Sequence, residues 1–213
     1  MKYDDLLEIV GAAPVFDSSL LRAGDVDPTD VASQLSRWVA SGKLLQLRRR
    51  VCALPPARRR RAPHAFETAN LLVRPSYVSL ESALSFHGMI PEAVYTTTSI
   101  TSARPALHRT PLGDFDYRHV VAGLFWGYRS VEVAPEVSAL VARPEKALLD
   151  LVYLRPHGDD PAFLRELRLE RLERLDGAEL AAMARRTGKP KLVRAAERIA
   201  ALTAEHAEEH EPL

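Results

Sequence analysis

The 19 residues from Lys43 to Arg61 hold eight basic side chains (Lys43, Arg48, Arg49, Arg50, Arg58, Arg59, Arg60 and Arg61) and no acidic one. Such a density of positive charge suits a polyanion, because a guanidinium fork matches phosphate oxygens two at a time. The surroundings sharpen the contrast. Residues 1–42 carry three basic and seven acidic residues, and the whole chain of 213 residues has a formal net charge of +1. A second basic group, Arg185, Arg186, Lys189, Lys191 and Arg194, is broken by Gly188 and Pro190. It is a candidate patch for an acidic partner surface or for nucleic acid, with an ordinary mixed-charge helix surface as the alternative.

Other reactive residue types lack the company that chemistry needs. Ser79, Ser82, Ser85 and His87 are close in sequence, yet no Gly-x-Ser-x-Gly elbow surrounds them, and Ser79 reads as a helix N-cap. Lys146 and Asp150 are four apart and can pair across one helical turn. His206 and His210 have zinc-compatible helical spacing but no third ligand in a glutamate-rich tail, so they read as solvated. The carboxylate pairs Asp114/Asp116 and Asp159/Asp160 fall in turn-like contexts. Cys52 is the only cysteine, which excludes an internal disulfide and a multi-cysteine metal site, and it reads as a small apolar residue in a strand. The glycines are scattered, without a phosphate-cradling loop. No catalytic residue, cofactor or metal is expected.

The elements that must position the basic residues can be read from periodicity and punctuation. Tyr3, Leu6, Leu7 and Val10 recur at helical spacing, ended by Gly11 and Pro14. A short helix capped by Asp17 is expected to turn Leu20 and Leu21 inward and stop at Gly24. A third helix is capped by Asp27, with Pro28 at its first position, Val31, Leu35, Trp38 and Val39 on one face, and Gly42 closing it. Steps of about 100° then put Thr29, Ser33, Ser36, Arg37 and Ala40 outward. Two short strands follow, LLQL and RVCAL, around a turn at Arg48–Arg49. Helix, helix, capped helix and hairpin form the order of a winged helix-turn-helix, whose third helix enters the major groove while the hairpin holds the backbone. The candidate DNA contacts are Thr29, Ser33, Ser36 and Arg37 on the helix, Lys43 and Arg48 to Arg50 around the hairpin, and Arg58 to Arg61 beyond it.

PPARRRRAP combines three prolines with four arginines and reads as an extended linker. Helices are expected at His64–Arg74, with Phe66, Leu71 and Leu72, and at Ser79–Gly88, with Ala83, Leu84 and Phe86 inside. Strands are expected at Val94–Thr101, Phe115–Val121, Tyr128–Val133 and Ser138–Ala142. Helices follow from Pro144, then at Pro161–Leu169, Gly177–Thr187 and Pro190–His206. The expected fold class is α+β: a winged helix-turn-helix over 1–55, a linker over 56–63, and a mixed α+β domain over 64–213 with a helical C-terminal part. With 46% hydrophobic and 27% charged residues and no apolar run near ~20 residues, no membrane span is expected. The acidic N-terminus, MKYDDLLEIV, is unlike a signal peptide, which implies a cytoplasmic location.

Three stretches resemble the AbiEi family of bacterial antitoxins. GKLLQLRRRVCALPP is similar to the family's wing and the strand leading out of it. YVSLESALSFHGMIPE (Tyr77–Glu92) is similar to its serine-started helix ending in His-Gly, and ARPEKALLDLVYL (Ala142–Leu154) to its Pro-Glu-Lys-Ala helix. They occur in the family's order within residues 1 to about 155. One departure falls at the wing turn, where the family has glycine and this chain has Arg50, so an altered turn or a positive φ is expected there. The resemblance implies an antitoxin and transcriptional autorepressor. It would bind inverted repeats in duplex promoter DNA and counteract a co-encoded nucleotidyltransferase-like toxin. The competing readings are a DNA-processing enzyme targeted by the winged helix, and an interaction scaffold that binds no DNA.

Overall fold

The computed structural model describes residues 1–22 and 27–209, so Gly24 and His210 lie outside the described residues, as does the side chain of His206. The first helix, α1 (Tyr3–Val10), leads to strand β1 (Val15–Asp17), a 3-10 turn at Ser18–Arg22, helix α2 (Pro28–Ala40), and strands β2 (Leu45–Arg48) and β3 (Val51–Ala53). After a 3-10 turn at Pro56–Arg58 come α3 (Ala65–Leu72), β4 (Ser76–Val78), α4 (Leu80–Phe86), β5 (Thr96–Thr101), β6 (Ala106–Thr110), β7 (Gly113–His119), β8 (Tyr128–Ala134) and β9 (Val137–Ala142). The rest is helical: α5 (Pro144–Leu154), α6 (Pro161–Glu166), α7 (Gly177–Arg186) and α8 (Pro190–Glu209). The class is mixed α+β. None of the described helices is long and apolar enough to cross a membrane.

The small sheet has the order β1-β3-β2, all antiparallel, with Val15 opposite Ala53 and Arg48 opposite Val51. Alternation along its strands feeds two different cores. Phe16, Cys52 and Leu54 join Leu6, Val10, Leu21, Val31, Leu35, Trp38 and Leu44 on one side. Val15, Leu47, Val51 and Ala53 join the core of the second domain on the other. A strand buried on both faces shows no hydrophobic alternation, and β3 is buried at all three of its residues.

The large sheet has the order β6-β7-β5-β4-β9-β8, with β5–β7 and β4–β9 parallel and the other pairs antiparallel. Tyr77 aligns with Ile100 and Ile100 with Arg118, so Tyr77 and its register neighbours face one side while Tyr117 faces the other. Tyr77 reaches α5 through Asp150 (2.9 Å), and Tyr117 reaches α3 through the Ala69 carbonyl (2.6 Å). The small sheet lies on the α3 side. There the Arg48 guanidinium donates to the Leu72 carbonyl at the end of α3.

Several expectations are corrected. The hairpin turn is Arg49–Arg50, one residue later than read, because a register shift between Gln46 and Arg48 lets both Leu47 and Val51 turn inward. Leu20 is 48% exposed, because the residues after β1 form a tight 3-10 turn that buries Ser18 and Leu21 and leaves Leu20 outside. Phe86, at the end of the short α4, is 41% exposed and leans on Phe66 with ring centroids 5.6 Å apart. Strands β1, β4 and β6 were not expected, and Asp114 and Asp116 sit in β7 rather than in turns. The 56–63 segment opens with the 3-10 turn instead of running extended. Ser79 begins α4 but does not cap it. The extended Ser79 and left-handed Leu80 (φ 56°) swing the hydroxyl onto Asp150, 2.8 Å away.

Candidate nucleic-acid interface

Helix α2 is built as its residue order dictates. The Asp27 carboxylate accepts from the Thr29 amide at 2.7 Å, and Pro28 occupies the first turn where no amide is needed. Val31, Leu35 and Trp38 are buried, and the Trp38 ring meets Tyr3 edge-on. That pins the opposite face outward: Thr29, Ser33, Ser36, Arg37 and Ala40 are all exposed. The Ser36 hydroxyl donates to the Ala32 carbonyl, leaving Arg37 as the only cation on this face. Asp30 is also exposed near the helix start, at the edge of the face.

A cleft of about 290 Å³ separates α2 from the hairpin, with Ser36 and Gln46 on its walls and Arg49 and Arg50 at its mouth. Arg50 takes a left-handed backbone (φ 72°), one of the two outcomes expected at this turn and one that non-glycine residues seldom adopt. Its carbonyl accepts from the Ser18 amide at 2.7 Å, and its guanidinium lies 3.6 Å from the Asp17 carboxylate. Burial raises the Asp17 carboxyl, but hydrogen bonds from Ser19 and the charges of Arg50 and Arg74 outweigh it and hold the group below its ordinary value. Arg49 is exposed and pairs with no described carboxylate. Cys52, behind the turn, is buried, and that burial pushes its thiol up to about 11.

The remaining basic candidates divide. Lys43 lies over the Tyr3 ring at 5.4 Å, and Tyr3 donates to the Lys43 carbonyl at 2.8 Å. Arg58 stands near the same tyrosine, where its charge opposes the upward shift that burial gives the phenol. Lys43 and Arg58 therefore flank the base of the hairpin while Arg49 and Arg50 cap its tip. Arg60 is exposed. Arg48 is tied to Leu72, Arg59 donates to the Leu54 carbonyl at 2.5 Å, and Arg61 grips both Glu67 oxygens at 2.5 and 2.8 Å.

Three cations of the late basic group are held by the protein itself. Arg186 stacks on Trp126 at 4.2 Å, Lys191 donates to the Tyr153 and Arg155 carbonyls at the end of α5, and Arg194 pairs with Asp159 at 2.8 Å. Arg185 and Lys189 are exposed and pair with no described carboxylate.

One constellation was only half visible in the residue order. Lys146 and Asp150 pair as expected, but inside the protein, with side chains 3% exposed each. Tyr77 accepts from the Lys146 ammonium at 3.0 Å and donates to Asp150, and Ser79 donates to the other side of the same carboxylate oxygen. The ammonium also faces the rings of Tyr77 and Trp126 at 5.6 and 5.4 Å. Burial pushes the Asp150 carboxyl upward against the pull of Lys146, and it pushes the Tyr77 phenol upward as well. Every polar atom here has a partner, as a network clamping strand β4 to helix α5 requires. Tyr77 was missed because a three-residue strand shows too little alternation to reveal its inner face. His87 is partly buried and bonds the Ala142 carbonyl through Nε2 at 2.8 Å, remote in role from the serines near it. Among the described residues no group of three or more His, Cys, Asp or Glu is placed to hold a metal ion.

Compared with known proteins, the chain matches no protein-family model and no curated protein.

Proposed function

We propose that the N-terminal module is a winged helix that binds duplex promoter DNA, and that the chain is an antitoxin-type autorepressor of the kind its AbiEi-like stretches imply. The observation that carries the reading is the pairing of an exposed, small and polar α2 face with a hairpin tipped by Arg49 and Arg50. The order helix, strand, helical turn, helix and hairpin, with β3 between β1 and β2, supports it. In this reading α2 enters the major groove with Arg37 reaching a base edge or phosphate. Arg49 and Arg50 hold the backbone on one flank, and Lys43 and Arg58 hold it on the other. The second domain carries the antitoxin role against a nucleotidyltransferase-like toxin, and the chain works in the cytoplasm.

A titration of the chain against its own promoter duplex at several salt concentrations tests the proposal. Counterion release predicts a steep fall of affinity with salt, and each phosphate contact removed lowers the slope by about one. Absence of binding at low salt would defeat the regulator reading in favour of a protein-docking module.

A further inference from the structure

The face of the large sheet that carries α4 and α5 has a groove the DNA reading leaves unused. It opens where α4, the segment before β5, α5 and the end of α6 meet, and encloses about 430 Å³. Leu84, Ile90, Val94, Leu151 and Leu167 make it apolar, and Tyr95 stands on its rim, 93% exposed. A tyrosine left almost wholly in water beside an apolar groove has the make-up of a contact residue, since its ring adds apolar area at low conformational cost. Glu81, Glu92 and Glu166 line the same groove, and no lysine or arginine does among the described residues. One of these carboxylates already holds a guanidinium, because Glu92 pairs with Arg168 of this chain. The two remaining carboxylates, Glu81 and Glu166, repel phosphate, so neither a nucleic acid nor an anionic lipid surface suits the groove.

We propose that this groove docks a short segment of a partner protein, with an apolar side chain against Ile90, Val94 and Tyr95 and flanking lysine or arginine side chains paired to Glu81 and Glu166. The occupant is set by charge complementarity: an acidic rim with an apolar floor selects a basic segment with an apolar anchor. The N-terminal module lies on the α3 side of the sheet, so this docking leaves it uncovered. The inference stands whether or not that module grips DNA.

The test uses a displayed library of random short peptides, selected on the full chain and counter-selected on a Tyr95→Ser/Glu166→Lys variant whose circular dichroism matches the parent. Both residues are exposed, so the fold tolerates the changes. The expected survivors share an apolar residue flanked by lysine or arginine. A synthetic survivor binds the chain by titration calorimetry, and its affinity falls about tenfold in each single variant and also falls with added salt. The proposal is overturned if no peptide discriminates parent from variant, or if the discriminating peptides are neutral or acidic. It is equally overturned if the chain sediments as a dimer that Tyr95→Ser converts to monomer, because the occupant is then a second copy.

Discussion

Two stretches of this chain are rich in basic residues, and each divides its cations between solvent and the protein itself. Within Lys43–Arg61, Lys43, Arg49, Arg58 and Arg60 stay in water without a carboxylate partner among the described residues. Within Arg185–Arg194, three of the five cations are drawn onto the protein itself, over Trp126, onto the open carbonyls ending α5, and onto Asp159. The density of charge is similar, and the two stretches differ in where acceptors lie, beside α8 but not beside the hairpin tip. A helix C-terminus leaves carbonyls unsatisfied, and α8 passes where Lys191 can donate to them. The hairpin tip has no such neighbour beyond Asp17. Cations lacking internal acceptors remain available to a polyanion, and cations that have them act as mortar.

The sharpest way to break this contrast lies beneath the later stretch. Arg186 rests on Trp126, and Trp126 rests on buried Lys146. Asp150→Asn leaves that ammonium buried without its counter-charge and is expected to destabilise the fold by about 3–5 kcal/mol in urea unfolding, whereas Lys146→Met/Asp150→Leu together cost clearly less. Equal losses would mean that the pair contributes net stability beyond balancing its own charges. Next in size, Arg49→Glu/Arg50→Glu is expected to weaken promoter binding roughly 100-fold at low salt, with Arg185→Glu/Lys189→Glu changing it less than about threefold. Fluorescence anisotropy with one labelled duplex reads both, and a large effect of the second pair would merge the two stretches into one surface.

Smaller effects sharpen the division inside the first stretch. Arg61→Ala removes a two-pronged, partly buried contact with Glu67 and should cost about 1 kcal/mol, while Arg194→Ala at a more exposed pair should cost about half as much. A further consequence concerns acid. His64 and His108 are pushed below the ordinary 6.5, by burial first and then by Arg61 and Arg48 respectively. The unfolded chain therefore takes up these protons first. The histidine contribution to stability is complete above about pH 6.5 and is lost as the pH falls toward the folded values. Urea midpoints should drop on acidification, and His108→Gln should lessen the drop.

What could be read from residue order follows the range of the forces involved. Helix α2 came through whole, because its cap, its proline and its apolar stripe all act within four residues. The positive φ at Arg50 was one of two alternatives, an altered turn being the other. The three-residue strands β1 and β4 did not come through, because neither sits in a hairpin pattern of the kind that marked the equally short β3. The inner face of the hairpin was hidden for a related reason: Leu47 and Val51 are buried only because a distant domain covers them. For the proposed interface, side-chain type pointed to the hairpin and its surroundings but not to which cations stay in water. Which arginine stays in water was settled by carbonyls and carboxylates tens of residues away, such as Leu72 for Arg48 and Glu67 for Arg61.

The double-sided burial of the small sheet bears on how this protein can be cut and recombined. A fragment ending before Pro55 would present Val15, Leu47, Val51 and Ala53 to water as a bare apolar plate, inviting aggregation rather than an isolated reader head. The remainder would lose the lid over α3. A single calorimetric melt for the intact chain, and no soluble halves from proteolysis around residues 56–63, would mark the two ends as one inheritance unit. Exchange of the head between such proteins would then require its seat to travel with it.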